Sequence, residues 1–277
     1  MRKDKMHDKY GFFEESADFF TSDEARGIRL QFDYEKAEVK IRKAGIEHTV
    51  VVFGSARIKP TSEAQKEIDR IEKALKEDAV NENLLKELNK AQVALRQSLY
   101  YEEARRFGQL VGKSGKGPDD CKVTLCTGGG PGIMEAANRG AHDVGAKSIG
   151  LNIKLPHEQK PNPYITPELS FNFYYFGIRK LHFMQRAKAL VVFPGGFGTL
   201  DELFDILTLV QTGKNPHIPI VLVSRYHWDN ILNFDFLVEE GTIAPGDKEL
   251  FVYAENAEEA WEAVTEWYEK RGKPLFS

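Results

Sequence analysis

The chain has 277 residues and carries 38 Lys and Arg against 42 Asp and Glu, a formal net charge of −4. Its composition, 42% hydrophobic, 29% charged and 11% aromatic, is that of a globular protein long enough to bury a core without disulfide or metal staples. The balanced charge removes any global electrostatic reason to bind nucleic acid or an anionic membrane, and no apolar run reaches the roughly 18 residues that span a bilayer. The N-terminal Met1-Arg2-Lys3-Asp4-Lys5 leads into mixed polar and aromatic residues rather than the apolar stretch of a signal peptide. Cys121 and Cys126 fall in no zinc-ligand spacing and read as reduced thiols. The expectation is a cytoplasmic chain with no metal or other cofactor, no nucleic-acid partner and no membrane partner.

In chain order, the first predicted element is a helix over about Asp23 to Ala44, inside an N-terminal extension of residues 1–46. A strand follows at His48 to Ser55, apolar throughout Thr49-Val50-Val51-Val52-Phe53, as suits a sheet covered on both faces. Thr61 to Leu110 is a charged helical segment in which Ile68, Ile71 and Leu75, then Leu84, Leu88, Ala91 and Leu95, recur at helical spacing. Val80-Asn81-Glu82-Asn83 breaks the pattern as the turn of a helical hairpin. The segment reads as a solvated arm, with an oligomer contact or a lid as the sharper alternative. Strands are then predicted at Lys122 to Thr127, Lys147 to Ile153, Ala189 to Phe193 and Ile218 to Ser224, with a weaker one at Leu250 to Tyr253. Helices are predicted at Gly132 to Val144, Phe176 to Lys188, Leu200 to Thr212 and Ala257 to Lys270. This alternation predicts an α/β fold, a doubly wound, Rossmann-like parallel sheet flanked by helices. The N-terminal helix and the arm at 61–110 are additions within a single domain over 1–277.

Three small-residue turns follow predicted strands: Gly54-Ser55-Ala56-Arg57, Thr127-Gly128-Gly129-Gly130-Pro131-Gly132 and Pro194-Gly195-Gly196-Phe197-Gly198-Thr199. In a parallel sheet such turns share one edge, where glycine lets backbone N–H groups approach an anion and the next helix adds its free amides. A phosphate-bearing ligand is the natural reading. The dinucleotide fingerprint fails, because Ile133 occupies the third glycine position and no acid ends a strand at the required distance. Gly108 to Ser114 resembles a P-loop but is one residue short and follows a helix.

The strongest local signal is Arg179-Lys180, then a strand, then the Pro194 loop leading to Asp201 and Glu202. Two acids in the first turn of a helix have a plain explanation, complementation of the helix dipole worth about 0.3–1 kcal/mol. A carboxylate beside a bound phosphate would instead have a raised pKa, as a proton-handling group needs. Glu202, Asp205, Thr208 and Gln211 recur at steps of three and make a polar stripe, read as a wall of the pocket. Met134 and Met184 read as core fillers and His182 as packed or solvated. Tyr174, Tyr175 and Phe176 read as an aromatic edge or a base-stacking surface.

This set resembles the LONELY GUY (LOG) family of cytokinin-activating nucleotide phosphoribohydrolases, also long labelled lysine decarboxylase-like, and looks most like its longer bacterial members. The resemblance rests on Arg179-Lys180 with Pro194-Gly195-Gly196-Phe197-Gly198-Thr199-Leu200-Asp201-Glu202. Supporting matches are Phe53 to Arg57, Gly128 to Met134, Thr208 and Gln211 to Lys214. It implies hydrolysis of the N-glycosidic bond of a nucleoside 5′-monophosphate, a cytokinin riboside 5′-monophosphate or AMP, to free base and ribose 5-phosphate. Arg179 and Glu202 would be the catalytic pair. Gly195, Gly196, Gly198, Thr199, Lys180, Asp201, Thr208, Gly128, Gly129, Gly130 and Ser55 would bind substrate or its phosphate. It also implies a homodimer or higher homo-oligomer. The alternatives are a general purine or pyrimidine nucleotide nucleosidase and a non-catalytic carrier of molybdenum cofactor. A further acid of compact members has no counterpart that can be placed in Pro156 to Ser170, where Glu158 stands among prolines.

Overall fold

The computed structural model describes residues 12–154 and 160–276. Helices α1 (Phe12–Thr21) and α2 (Arg26–Lys43) precede strand β1 (His48–Phe53), and a hairpin of α3 (Thr61–Leu75) and α4 (Glu82–Gly112) leads to β2 (Val123–Thr127). Then come α5 (Ile133–Asp143), β3 (Ser148–Ile153), β4 (Ser170–Phe173), α6 (Phe176–Gln185), β5 (Ala187–Val192) and α7 (Phe197–Gln211). The chain ends in β6 (Ile220–Val223), α8 (Arg225–Ile231), α9 (Phe234–Glu239), β7 (Val252–Ala254) and α10 (Ala257–Glu269).

The seven strands form one parallel sheet in the order β4-β3-β2-β1-β5-β6-β7. The apolar run in β1 shows why the sheet is covered on both sides. Val51 and Phe53 face a core with α2, α6 and α7, whereas Val50 and Val52 face another with α4, α5 and α10. Strand order reverses between β1 and β5, so the turns after these two strands flank the switch-point crevice. Ser55 N–H donates to Pro194 O (3.0 Å) and Ile133 N–H to Ser55 O (3.0 Å), which ties all three glycine-rich turns together.

The doubly wound sheet matches expectation, with one strand more. β4 is a short edge strand in which Phe171 and Phe173 are buried and Asn172 is exposed. Four residues after a proline-rich stretch make no apolar run, so period-2 alternation is its only mark. The arm needs a larger correction. Ile68, Ile71 and Ala91 close a small core inside the hairpin, as the spacing predicts. From Ser98 onward α4 is a layer of the main fold, burying Tyr101, Ala104, Phe107 and Val111 against the sheet. Gly108, which suggested a P-loop, instead serves this packing: a Cβ there would lie 2.1 Å from Ala137 O of α5.

Candidate active site

Helix α6 carries Arg179, and its entry is fixed by α2. The buried Asp33 carboxylate accepts from Tyr174 N–H (3.0 Å) and Tyr175 N–H (3.0 Å), while His182 Nε2 donates to Tyr34 O (3.1 Å). A carbonyl only accepts, so the proton sits on Nε2. Burial holds His182 below its ordinary pKa. His182 is thus a packed residue against α2, as its sequence reading favoured.

Glu202 is the sixth residue of α7, because the helix begins at Phe197 with Gly196 as its N-cap. That corrects the expected start at Leu200 and moves Glu202 into the second turn. The dipole effect fades beyond the first turn, so dipole complementation does not account for this acid. Arg179 Nη2 donates to Glu202 Oε1 at 2.8 Å, and both side chains are largely buried, 13% and 7% exposed. Burial pushes Glu202 above the ordinary carboxylate range, outweighing the pull of Arg179 and Lys180. Burial likewise lowers Arg179, which a guanidinium tolerates without losing its charge. The guanidinium lies over the rings of Phe176 (5.1 Å) and Phe183 (5.5 Å), and its buried Nε has no hydrogen-bond partner among the described residues.

The pair lies in the wall of a cavity of about 840 Å³ at the switch point, which Ser55, Arg57, Gly128, Met134, Gly195, Gly196, Gly198 and Thr199 also line. The Pro194 loop is built to leave amides free. Thr199 N–H and Leu200 N–H both donate to Gly196 O, and Gly195 N–H points to His227 Nε2 at 3.3 Å. The N–H groups of Gly196, Phe197 and Gly198 have no acceptor among the described residues. Three such donors at a helix start favour an anion. Gly195 must be glycine, since a Cβ would sit 2.1 Å from Thr199 Oγ1, which tucks beneath the loop.

The other predicted site residues divide. Lys180 and Asp201 do not line the cavity; they pair with each other (3.0 Å), and Lys180 also approaches Asp205 (3.7 Å). Burial alone would lower Lys180, but its hydrogen bond to Asp201 and the surrounding carboxylates hold it above its ordinary value. Thr208 donates to Phe204 O of its own helix and Gln211 to Asp247, so of the polar stripe only Glu202 reaches the cavity. Gly130 lines a smaller adjoining chamber, whereas Gly129 packs under Asn152. Met134 belongs to the cavity wall rather than to the core. Phe176 lines the smaller chamber, and Tyr174 is exposed. Glu158 lies outside the described residues.

Several contributors carry no motif. Asp33 sets α6, and His227 takes up Gly195 N–H. Asn162, in the proline-rich segment, clamps the second glycine turn through Gly129 O (3.2 Å) and Gly130 O (3.0 Å). Burial keeps His227 below its ordinary pKa, consistent with a neutral acceptor. Cys126 is buried and its thiol is pushed up, as an inert core residue. Among the described residues no group of His, Cys, Asp and Glu could hold a metal, and no helix is long and apolar enough to cross a membrane.

Residues 134–264 match a protein family described as possible lysine decarboxylase. A probable cytokinin riboside 5′-monophosphate phosphoribohydrolase of Arabidopsis thaliana, LOG6, is 30% identical over 148 residues, which are 53% of this chain and 73% of that protein. The cytokinin riboside 5′-monophosphate phosphoribohydrolase LOG3 of the same plant is 30% identical over 52% of this chain and 68% of its own length. A probable enzyme of that name from Oryza sativa subsp. japonica, LOG4, is 30% identical over 50% of this chain, which spans 60% of that relative. Among solved structures the chain is similar to the Moco carrier protein of Chlamydomonas reinhardtii, at 17% identity and a TM-score of 0.47 over 81% of this chain and 99% of that one.

Proposed function

The chain belongs to the LONELY GUY (LOG) family, and from that premise we propose that it is a nucleotide phosphoribohydrolase. It would hydrolyse the N-glycosidic bond of nucleoside 5′-monophosphates, cytokinin riboside 5′-monophosphate or AMP, to free base and ribose 5-phosphate. The observation that carries this reading is one cavity holding both a buried Arg179–Glu202 pair and three unengaged loop amides. The amides of Gly196, Phe197 and Gly198 receive the 5′-phosphate beneath the positive end of α7, with Arg57 at the rim. The bond to be broken then lies near Glu202. Oε1 is held by Arg179, while Oε2 has no donor among the described residues and is free to orient and deprotonate a water. Water adds at the anomeric carbon, the bonding pair leaves with the base nitrogen, and the base gains a proton. The carboxylate also faces the oxocarbenium-like sugar of the transition state, and Arg179 keeps it in place.

A lysine decarboxylase would use pyridoxal phosphate, whose Schiff base needs a lysine able to lose its proton. Lys180 is the lysine next to the pair, and three carboxylates hold it protonated and out of the cavity. The residues present do not fit that cofactor. Exposed Phe197, Leu181 and Phe204 on α6 and α7 support a homo-oligomer assembled near the site.

The deciding experiment is chromatography of products from a panel of nucleoside monophosphates and the matching nucleosides. Free base is expected from monophosphates alone, with a loss of about 10²–10⁴-fold in rate for Glu202→Ala. Full activity in that variant, or a bound pterin with no hydrolysis of any nucleotide, would overturn the reading.

A further inference from the structure

The smaller chamber, about 190 Å³, adjoins the main cavity through Gly128, Met134 and Arg179, which line both. At roughly 30 Å³ per water it has room for about six waters, enough for a nucleobase but not for a base with its ribose phosphate. A nucleotide with its phosphate on the Pro194 loop and its glycosidic bond at Arg179 and Glu202 would put its base there. The walls are mostly apolar, from Met134, Ile153 and Phe176, and one polar side chain from the strand side is Asn152.

The Asn152 amide has one possible orientation. Its Nδ2 faces two backbone carbonyls, Phe171 O at 3.1 Å and Gly150 O at 3.4 Å. Carbonyls only accept, so the NH₂ end must point at them and Oδ1 away. The amide is also wedged against Gly129, where a Cβ would lie 2.5 Å from Oδ1; Gly129 has a φ of +71° as well. The result is a buried carboxamide, 7% exposed, whose donors are both used and whose oxygen accepts from no described residue. Arg179 borders the same chamber, and its fully buried Nε–H has no acceptor among the described residues. Buried polar groups are ordinarily satisfied, so an unmatched carboxamide oxygen on a residue of the chamber wall marks where a ligand supplies the complement.

We propose that the Asn152 carboxamide oxygen reads the base, selecting nucleobases with an exocyclic amino group over their oxo counterparts. An exocyclic N–H donates to Oδ1. An oxo group in its place sets one acceptor against another, and the locked amide cannot flip to answer it, because flipping would turn Oδ1 toward two carbonyls. A site built around a fixed hydrogen bond discriminates strongly, because the wrong partner leaves buried groups unpaired.

This inference rests on the phosphoribohydrolase reading, and the test separates the two. Turnover and equilibrium binding are measured on the full chain for AMP, IMP and purine riboside 5′-monophosphate, which lacks the 6-substituent. AMP is expected to exceed the unsubstituted purine nucleotide by about tenfold in kcat/KM and IMP by about a hundredfold, with the same order in binding. Asn152→Leu should bring AMP and IMP within about threefold of each other in kcat/KM. IMP bound and cleaved as well as AMP by the unaltered protein would overturn the assignment, even if the variant does not fold. Binding that favours AMP with no turnover would instead overturn the reaction and leave the assignment supported.

Discussion

Two buried Arg–Glu pairs in this molecule share residue types and burial and differ in everything else. Arg186 and Glu38, 13% and 11% exposed, join the start of β5 to α2 through two parallel bonds, Nη1 to Oε2 at 2.9 Å and Nη2 to Oε1 at 2.6 Å. Arg179 and Glu202, 13% and 7% exposed, join α6 to α7 by one bond, leaving Arg179 Nε and Glu202 Oε2 without a partner among the described residues. The hydrogen bond from Arg186 holds Glu38 below the ordinary carboxylate range, whereas burial outweighs Arg179 and holds Glu202 above it. A saturated pair is a structural clamp. An unsaturated one at a cavity keeps hydrogen-bonding capacity and an elevated pKa in reserve, the combination a catalytic acid or base requires.

The largest expected effect breaks the site pair. Arg179→Lys keeps a charge but loses the planar fork and its place between Phe176 and Phe183, and kcat/KM should fall about 10²–10³-fold. Circular dichroism and melting should change little beside that loss. Next in size is the clamp. Arg186→Met leaves Glu38 buried without its partner and should cost about 3–5 kcal/mol of stability, read by denaturant unfolding. Adding Glu38→Leu should restore most of it. Activity per folded molecule should stay at the level of the unaltered protein in both variants; a drop comparable to that of Arg179→Lys would erase the distinction between the pairs.

The pairs should also separate with pH. Glu38 has a lowered pKa, so its contribution to stability is complete above the ordinary glutamate value of about 4.3 and is lost as pH falls through its lowered value. Glu202 has a raised pKa, so the folded chain takes up its proton more readily than the unfolded chain. Its contribution declines as pH rises from about 4.3 through that raised value. If the ionised carboxylate is the base, activity rises over the same interval. A pH–rate profile should therefore show an acid limb centred above 4.3, and a limb at or below that value would contradict the assignment.

The fold was legible where a strand is apolar on both faces, as in β1 and β5, and the site where glycines end such strands. The remainder was hidden for physical reasons. Arg186 follows Arg179 and Lys180 closely along the chain, yet it stands at the start of β5 while the Pro194 loop follows its end. A strand of that length separates them by roughly 20 Å. Pro194-Gly195-Gly196 reads as loop, which puts Glu202 in a first turn, whereas in the structure the helix takes in Phe197 and Gly198. Asp33, His227, Asn152 and Asn162 act through bonds to backbone groups of distant segments. No spacing along the chain encodes such contacts.

The smallest effect tests how far the site extends along α7. Thr199 and Thr208 are both threonines of that helix, and sequence alone places both at the ligand. Thr199 is 6% exposed and lines the cavity beneath Gly195, so Thr199→Val removes a polar group from the phosphate loop while keeping its shape. The Thr208 hydroxyl is spent on Phe204 O one turn earlier, at 2.7 Å, and Thr208 does not line the cavity. Thr208→Val should leave KM for a nucleoside monophosphate within about twofold and stability within about 0.5 kcal/mol, as at ordinary exposed positions. Thr199→Val should raise KM several-fold, the loss of one neutral hydrogen bond being about 1 kcal/mol. If Thr208→Val instead raised KM as much as Thr199→Val, the phosphate site would have to reach beyond the loop, to the fourth turn of α7 or to a neighbouring subunit.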